Sequence, residues 1–166
     1  MKSKNLPKII FWLVFIVLIM LLATFLNNSI QKKLYPRKYS VIVEKYSAEY
    51  DVPEYIIYSV IYVESSFDKN AVSPSGAIGL MQLMPSTYTW LAEINNEETK
   101  DIFDSEENIK YGTYYLAFLY DRYESWEIAF AAYNAGMGNV DSWLKEDIYE
   151  IKFSETKNYV DKLRVA

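Results

Sequence analysis

With neither histidine nor cysteine among its 166 residues, the chain has a restricted chemical repertoire. Thiol catalysis, disulfides and thiolate metal sites are excluded, as are Ser-His-Asp and Cys-His mechanisms and the usual zinc centres. Carboxylate, hydroxyl, amide and lysine chemistry remain, and nothing in the sequence calls for a metal or a cofactor. Among the carboxylates, Glu64 stands out. Ile56, Ile57, Val60, Ile61 and Glu64 fall at i, i+1, i+4, i+5 and i+8, one face of a helix. An acid therefore sits where the pattern asks for an apolar residue. Partial burial and the negative end of the helix dipole would both disfavour its charged form, which is what a general acid working near neutral pH requires. By pattern alone the blander reading outweighs this one: a glutamate at a helix end that swings into solvent or caps an amide.

Other polar side chains gather around that position in the sequence. Ser73 lies in the loop that must fold back over the helix end. Gln82 stands in the otherwise apolar run G-L-M-Q-L-M, either as a satisfied core amide or as a hydrogen bonder facing a ligand. Tyr133 and Asn134 close an apolar helix with a phenol and an amide, for which packing and capping are the plain alternatives. Only five glycines occur. Gly76 and Gly79 follow Glu64, and Gly136 and Gly138 follow Tyr133, so four of the five mark two loops, read here as cleft walls.

The elements that must position these groups are helical throughout, and strand alternation is weak. Helices are expected over Val41–Tyr50, Pro53–Ser65, Pro85–Ile94, Glu106–Tyr123, Trp126–Tyr133 and Glu155–Leu163, with a further segment beginning at Val140–Trp143. Asp51 is the expected N-cap of the second of these and Pro53 lies in its first turn. Ser73-Pro74-Ser75-Gly76 signals a turn. Gly136 suits a helix C-cap, and Gly112 a close helix crossing. The fold class is all-α.

Domain organisation follows from an uneven distribution of apolar and charged residues. Residues 9–26 carry no charge, Gly or Pro. Eighteen residues make about 27 Å of helix, close to a hydrocarbon core of about 30 Å. The expectation is a short cytoplasmic segment (1–8), a single membrane-spanning helix (9–26), a polar juxtamembrane linker (27–40) and an extracytoplasmic globular domain (41–166). Basic residues flank the apolar run on both sides, so the positive-inside rule gives no vote. No A-x-A cleavage site follows, which favours an uncleaved anchor. Residues 1–38 carry a charge of +7 and the remainder −12. An acidic domain argues against a nucleic-acid partner, while the basic flanks suit anionic lipid headgroups.

The runs E-S-S-F-D-K-N-A-V-S-P-S-G-A-I-G-L-M-Q-L-M-P-S-T, N-I-K-Y-G-T-Y-Y-L, A-A-Y-N-A-G and E-T-K-N-Y-V occur in this order. Together they resemble the soluble lytic transglycosylase catalytic domain of the lysozyme-like superfamily, over about Tyr46 to Leu163. The resemblance implies that Glu64 is the single catalytic acid/base. It matches Ser73 to a serine near that acid, and Gln82 and Met84 to residues lining a sugar cleft. Tyr133 and Asn134 match the tyrosine facing the acid and its structural asparagine, and Glu155 and Tyr159 the helix that closes the cleft. Glu155 also reads plainly as a dipole-favoured residue in a first helical turn. The implied partner is the glycan strand of peptidoglycan. The implied reaction cleaves the bond between N-acetylmuramic acid and N-acetylglucosamine and closes a 1,6-anhydro ring. A hydrolase of the same fold and a non-catalytic wall-binding scaffold are the alternatives. Ordinary glycosidases need a second carboxylate. Asp68 is the nearest candidate in the sequence and reads as a turn residue. Met137 departs from the proline common at that position in the family. Trp143 is the aromatic first expected to stack on a sugar.

Overall fold

In the computed structural model the backbone is described for residues 6–34, 37–145 and 151–165. Most of the segment expected to be cytoplasmic (1–5), positions 35–36 of the expected linker, and 146–150 and 166 of the globular part lie outside the described residues. The chain divides into two compact units, Met1–Lys38 and Tyr39–Ala166.

The first unit holds one helix, α1 (Leu6–Leu34). It begins before the apolar run and does not stop after it, so Asn27–Leu34, read as linker from composition, is helical. The described side chains from Ile10 to Leu26 are all exposed. Among the described residues no helix is long and apolar enough to cross a membrane. The side chain at position 9 of the expected span is not among them, and the structure does not demonstrate the anchor.

The second unit contains α2 (Ser40–Tyr50), α3 (Glu54–Ser65), α4 (Pro85–Ile94), α5 (Ser105–Tyr123), α6 (Trp126–Ala135), α7 (Met137–Lys145) and α8 (Ser154–Val165). No strand occurs among the described residues. Two isolated antiparallel bridges, Val72 with Ile78 and Ile78 with Leu83, pin the loop between α3 and α4. The helix boundaries lie within a residue or two of those expected. Asp104 caps α5 through its side chain, accepting from the amides of Glu106 (2.9 Å) and Glu107 (3.1 Å). Pro85 opens α4 in its first turn, where its missing N–H is not needed.

The expectation for Asp51 fails. It is the C-cap of α2, with φ 54°, and its amide bonds to the Ser47 carbonyl. Pro53 occupies the N-cap of α3 without a side-chain bond. Pro53 holds the extended φ of its own ring, so the turn between α2 and α3 is set by a left-handed residue ending one helix rather than by a side chain starting the next.

α5 is the spine of the unit. It packs against α2, α4 and α6, while α6 also meets α7 and α8, and α8 meets α3. Ile109, Leu116 and Leu119 on α5 are completely buried, as are Ile57, Val60 and Ile61 on α3. On α8 the buried residues are Thr156, Tyr159, Val160 and Leu163, the i, i+3, i+4, i+7 stripe of an amphipathic helix. That stripe faces α3 and α6, and so brings Tyr159 towards the end of α3 where Glu64 stands.

Candidate active site

The geometry is built around the last turn of α3. Glu64 is half-buried. Removal from water pushes its carboxyl from 4.5 up to about 7, with a donor influence from Tyr159 pulling the other way. Two phenols face it. Tyr133 at the end of α6 and Tyr159 on α8 both feel the charge of Glu64, and burial holds each well above the usual phenol range. The Tyr133 hydroxyl donates to the Met81 carbonyl (2.8 Å), and its ring packs against Tyr115 at 5.2 Å between centroids. The Tyr159 hydroxyl is buried without a partner of hydrogen-bond distance and angle. Its effect on Glu64 is that of a neighbouring donor not drawn into a full bond.

The loop from Ser66 to Met84 leaves α3 directly after the acid. Ser65, next to the acid, ties it down: its hydroxyl donates to the Leu80 carbonyl at 2.8 Å, with the Ile61 carbonyl at 3.0 Å. Ser66 and Phe67 then take left-handed backbone, with φ 50° and 65°, turning the chain sharply out of α3. Gly79, with φ +82°, makes the second sharp turn, and Asn108 occupies the space that a Cβ would take there. Gln82 is also left-handed (φ 50°). Both hydrogens of its amide nitrogen are used inside the loop, on the carbonyls of Gly79 (2.9 Å) and Ala71 (3.2 Å).

The residues singled out from the sequence thus fall into groups. Glu64, Tyr133 and Tyr159 come together. Ser73 and Gln82 hold the loop in shape: the Ser73 hydroxyl accepts from the Ala77 amide (3.0 Å), and the oxygen of the Gln82 amide is the end of that side chain not spent on loop carbonyls. Asn134 accepts from the Thr156 hydroxyl (2.8 Å) and joins α6 to α8. Met84 and Glu155 are exposed at the starts of α4 and α8. Asp68 accepts from the Asn70 amide (2.9 Å) in a tight turn, in keeping with its reading as a turn residue.

Trp143 requires correction as a sugar-stacking aromatic. It is 7% exposed and packs edge-on against Phe153, 5.0 Å between centroids. The segment beginning at Val140 is one turn of α7, which buries Val140 and Trp143 at i and i+3. The three residues that sequence reasoning missed are Ser65, Met81 and Asn108, whose bonds at the loop each pair a side chain with one of its backbone groups. The signal available for Asn108 was its place four residues before Gly112, which puts both on one face of α5.

The transglycosylase SLT domain family matches residues 41–154. The chain belongs to that family. The SLT domain here is 32% identical over 140 residues to the soluble lytic murein transglycosylase of Escherichia coli K12, an alignment covering 76% of this chain and 22% of that protein. It is 34% identical over 126 residues to the membrane-bound lytic murein transglycosylase C of Serratia proteamaculans, covering 68% of this chain and 35% of that one. The chain therefore spans between a fifth and about a third of these relatives. Among solved structures it superposes on the 70 kDa soluble lytic transglycosylase of Escherichia coli with a TM-score of 0.71 and 32% identity, over 80% of this chain and 24% of that one. An inactive glutamate-to-glutamine variant of the Pseudomonas aeruginosa lytic transglycosylase Slt superposes with a TM-score of 0.70 at 27% identity, over 80% of this chain and 24% of that one. The all-helical SLT domain, with its lysozyme-like fold, is thereby the architecture of the described residues of the second unit.

Proposed function

We propose that this SLT domain is a peptidoglycan lytic transglycosylase in which Glu64 serves first as acid and then as base. One observation carries the reading: a carboxyl in the last turn of a helix, its titration pushed up to about 7 by burial and, among the described residues, faced by phenols rather than by a second carboxylate. At neutral pH such a group is divided between its two forms, so it can give a proton and take one back.

Glu64 protonates the glycosidic oxygen between N-acetylmuramic acid and N-acetylglucosamine as the bond from that oxygen to C1 breaks. The acetamido oxygen of the muramic residue stabilises the positive C1. The Glu64 carboxylate then removes the proton of the C6 hydroxyl, and O6 bonds to C1 to close the 1,6-anhydro ring. Atoms balance without water, and the proton that Glu64 gives away is returned to it. Asp68, spent on its own turn, supplies no second carboxylate. Ser73, Gln82, Met84, Tyr133, Asn134, Glu155 and Tyr159 are assigned to holding and shaping the glycan cleft.

Localisation is proposed as a single-pass anchor with the SLT domain outside the cytoplasm. Support comes from the uncharged run 9–26 lying within α1, from its exposed apolar side chains, and from the membrane-bound relative. Retention of the full chain in the pellet after alkaline carbonate extraction of membranes supports the anchor; release refutes it.

The test of the chemistry is Glu64→Gln assayed on purified murein. Turnover is abolished while glycan binding persists, and turnover that survives refutes the acid. Mass spectrometry of the wild-type products decides the outcome: ends lacking one water mark the lyase, and reducing ends mark a hydrolase.

A further inference from the structure

Among the motifs of this chain, N-I-K-Y-G-T-Y-Y-L is the one with no task in the chemistry above. Its first residue, Asn108 on α5, is 1% exposed, and its amide is fully engaged. The nitrogen donates to the carbonyls of Ile78 (2.9 Å) and Ile102 (3.0 Å), and the oxygen accepts from the Met81 amide (2.8 Å). One turn further along α5, Gly112 leaves room for the Met81 side chain. A Cβ on Gly112 would lie 2.8 Å from Met81 Cβ and 2.9 Å from its Cε. A single stripe of α5 therefore grips Met81 twice, by its amide and by its side chain. The remaining backbone group of the same residue, the Met81 carbonyl, accepts the proton of Tyr133 at 2.8 Å. A phenol has one proton to donate. Committed to Met81, it is withheld from Glu64.

We infer that Asn108, together with Gly112, is a positioning residue for the acid: by fixing Met81 it keeps the Tyr133 proton on the Met81 carbonyl, so that Glu64 retains its own proton for the glycosidic oxygen. The inference rests on the reading of Glu64 as the acid. Were Met81 to shift, the Tyr133 hydroxyl would turn and donate to Glu64, and a donor stabilises the carboxylate form. Among the described residues the titratable groups facing Glu64 are Tyr133 from α6 and Tyr159 from α8; α2, which also packs on α3, and the Ser66–Met84 loop contribute no charged group to it.

The experiment reads the ionisation of Glu64 itself rather than turnover, so its failure is distinguishable from failure of the proposed reaction. The full chain in mild detergent, isotope-labelled at the glutamate carboxyl carbons, is titrated by NMR. The Glu64 signal is assigned by its absence in Glu64→Gln, and folding is checked by thermal melting. In Asn108→Ala the Glu64 midpoint falls by about one pH unit, the usual effect of one added donor. Adding Tyr133→Phe to that variant restores the midpoint, because the donor is gone. Gly112→Ala, which presses on the Met81 side chain instead of releasing its amide, gives the same fall and replaces Asn108→Ala if that variant does not fold. An unmoved midpoint in either folded variant, or a fall that persists with Tyr133→Phe, overturns the inference. A fall that Tyr133→Phe reverses, found together with full activity of Glu64→Gln on murein, upholds the coupling and refutes the catalytic role instead.

Discussion

Holding Glu64 near neutrality should destabilise the folded protein, and this is measurable without any substrate. The carboxyl rises from 4.5 to about 7 because folding withdraws it from water. Between those two values the folded chain keeps a proton that the unfolded chain releases. Stability therefore falls as pH rises through that window, and Glu64 contributes no slope well below or above it. A rise of roughly two and a half pH units, at about 1.36 kcal/mol each, corresponds to about 3 kcal/mol. Discounting for the partial exposure of the residue leaves about 2 kcal/mol. Glu64→Gln is neutral and nearly isosteric, so it removes the penalty. For a domain of this size each kcal/mol moves the melting temperature by roughly 3–5 °C. The variant should therefore melt roughly 6–10 °C above wild type near pH 8.5 and together with it near pH 3.5. Calorimetry of both proteins across that range is the assay. A difference that stays constant with pH, or that is largest in acid, refutes the claim that burial sets the state of Glu64.

Activity on murein should fall as pH rises past about 7, the value to which Glu64 is pushed, as read in kcat/KM; a profile flat to about pH 9 contradicts the acid role. Gly79→Ala combines a φ of +82° with a Cβ placed 2.7 Å from Asn108 Cγ, and should lose about 3 kcal/mol or more in denaturant unfolding. Trp143→Ala should lose about 3–5 kcal/mol as a core truncation while the folded fraction keeps its glycan affinity; weakened affinity at full stability would return Trp143 to the cleft. Asn134→Ala should cost about 1–2 kcal/mol by stranding the nearly buried Thr156 hydroxyl, and Thr156→Val in the same background should add little.

The helices of the second unit could be read from the sequence because periodicity, caps and breakers are local signals. Pro85–Ile94 was marked at its start by Pro85, and Ser105–Tyr123 was placed within a residue of its start by its apolar periodicity. Asp51 misled because Asp suits both an N-cap and a left-handed C-terminus, and the choice depends on where α2 stops. Trp143 misled because exposure is not a local property: its partner Phe153 comes from beyond the end of α7. Glu64 was visible as an oddity, but its environment was not, since Tyr133 and Tyr159 arrive from elements far along the chain. Asn108 bonds to Met81 across 27 positions, a pairing that no spacing rule anticipates. The continuation of α1 to Leu34 was hidden by polar residues that compose linkers and helix ends alike.

The grip of α5 on the Ser66–Met84 loop also determines how this protein fails on heating. A long loop ordinarily opens on its own, well below the free energy of global unfolding, and takes its function with it. Here the amide of Met81 and the carbonyl of Ile78 end on a buried side chain of the central helix, so the loop cannot open without leaving polar groups stranded inside α5's packing. The loop and the spine therefore belong to one cooperative unit. Catalytic inactivation and global melting should coincide, and the amide of Met81 should exchange its hydrogen as slowly as the core of α5 itself.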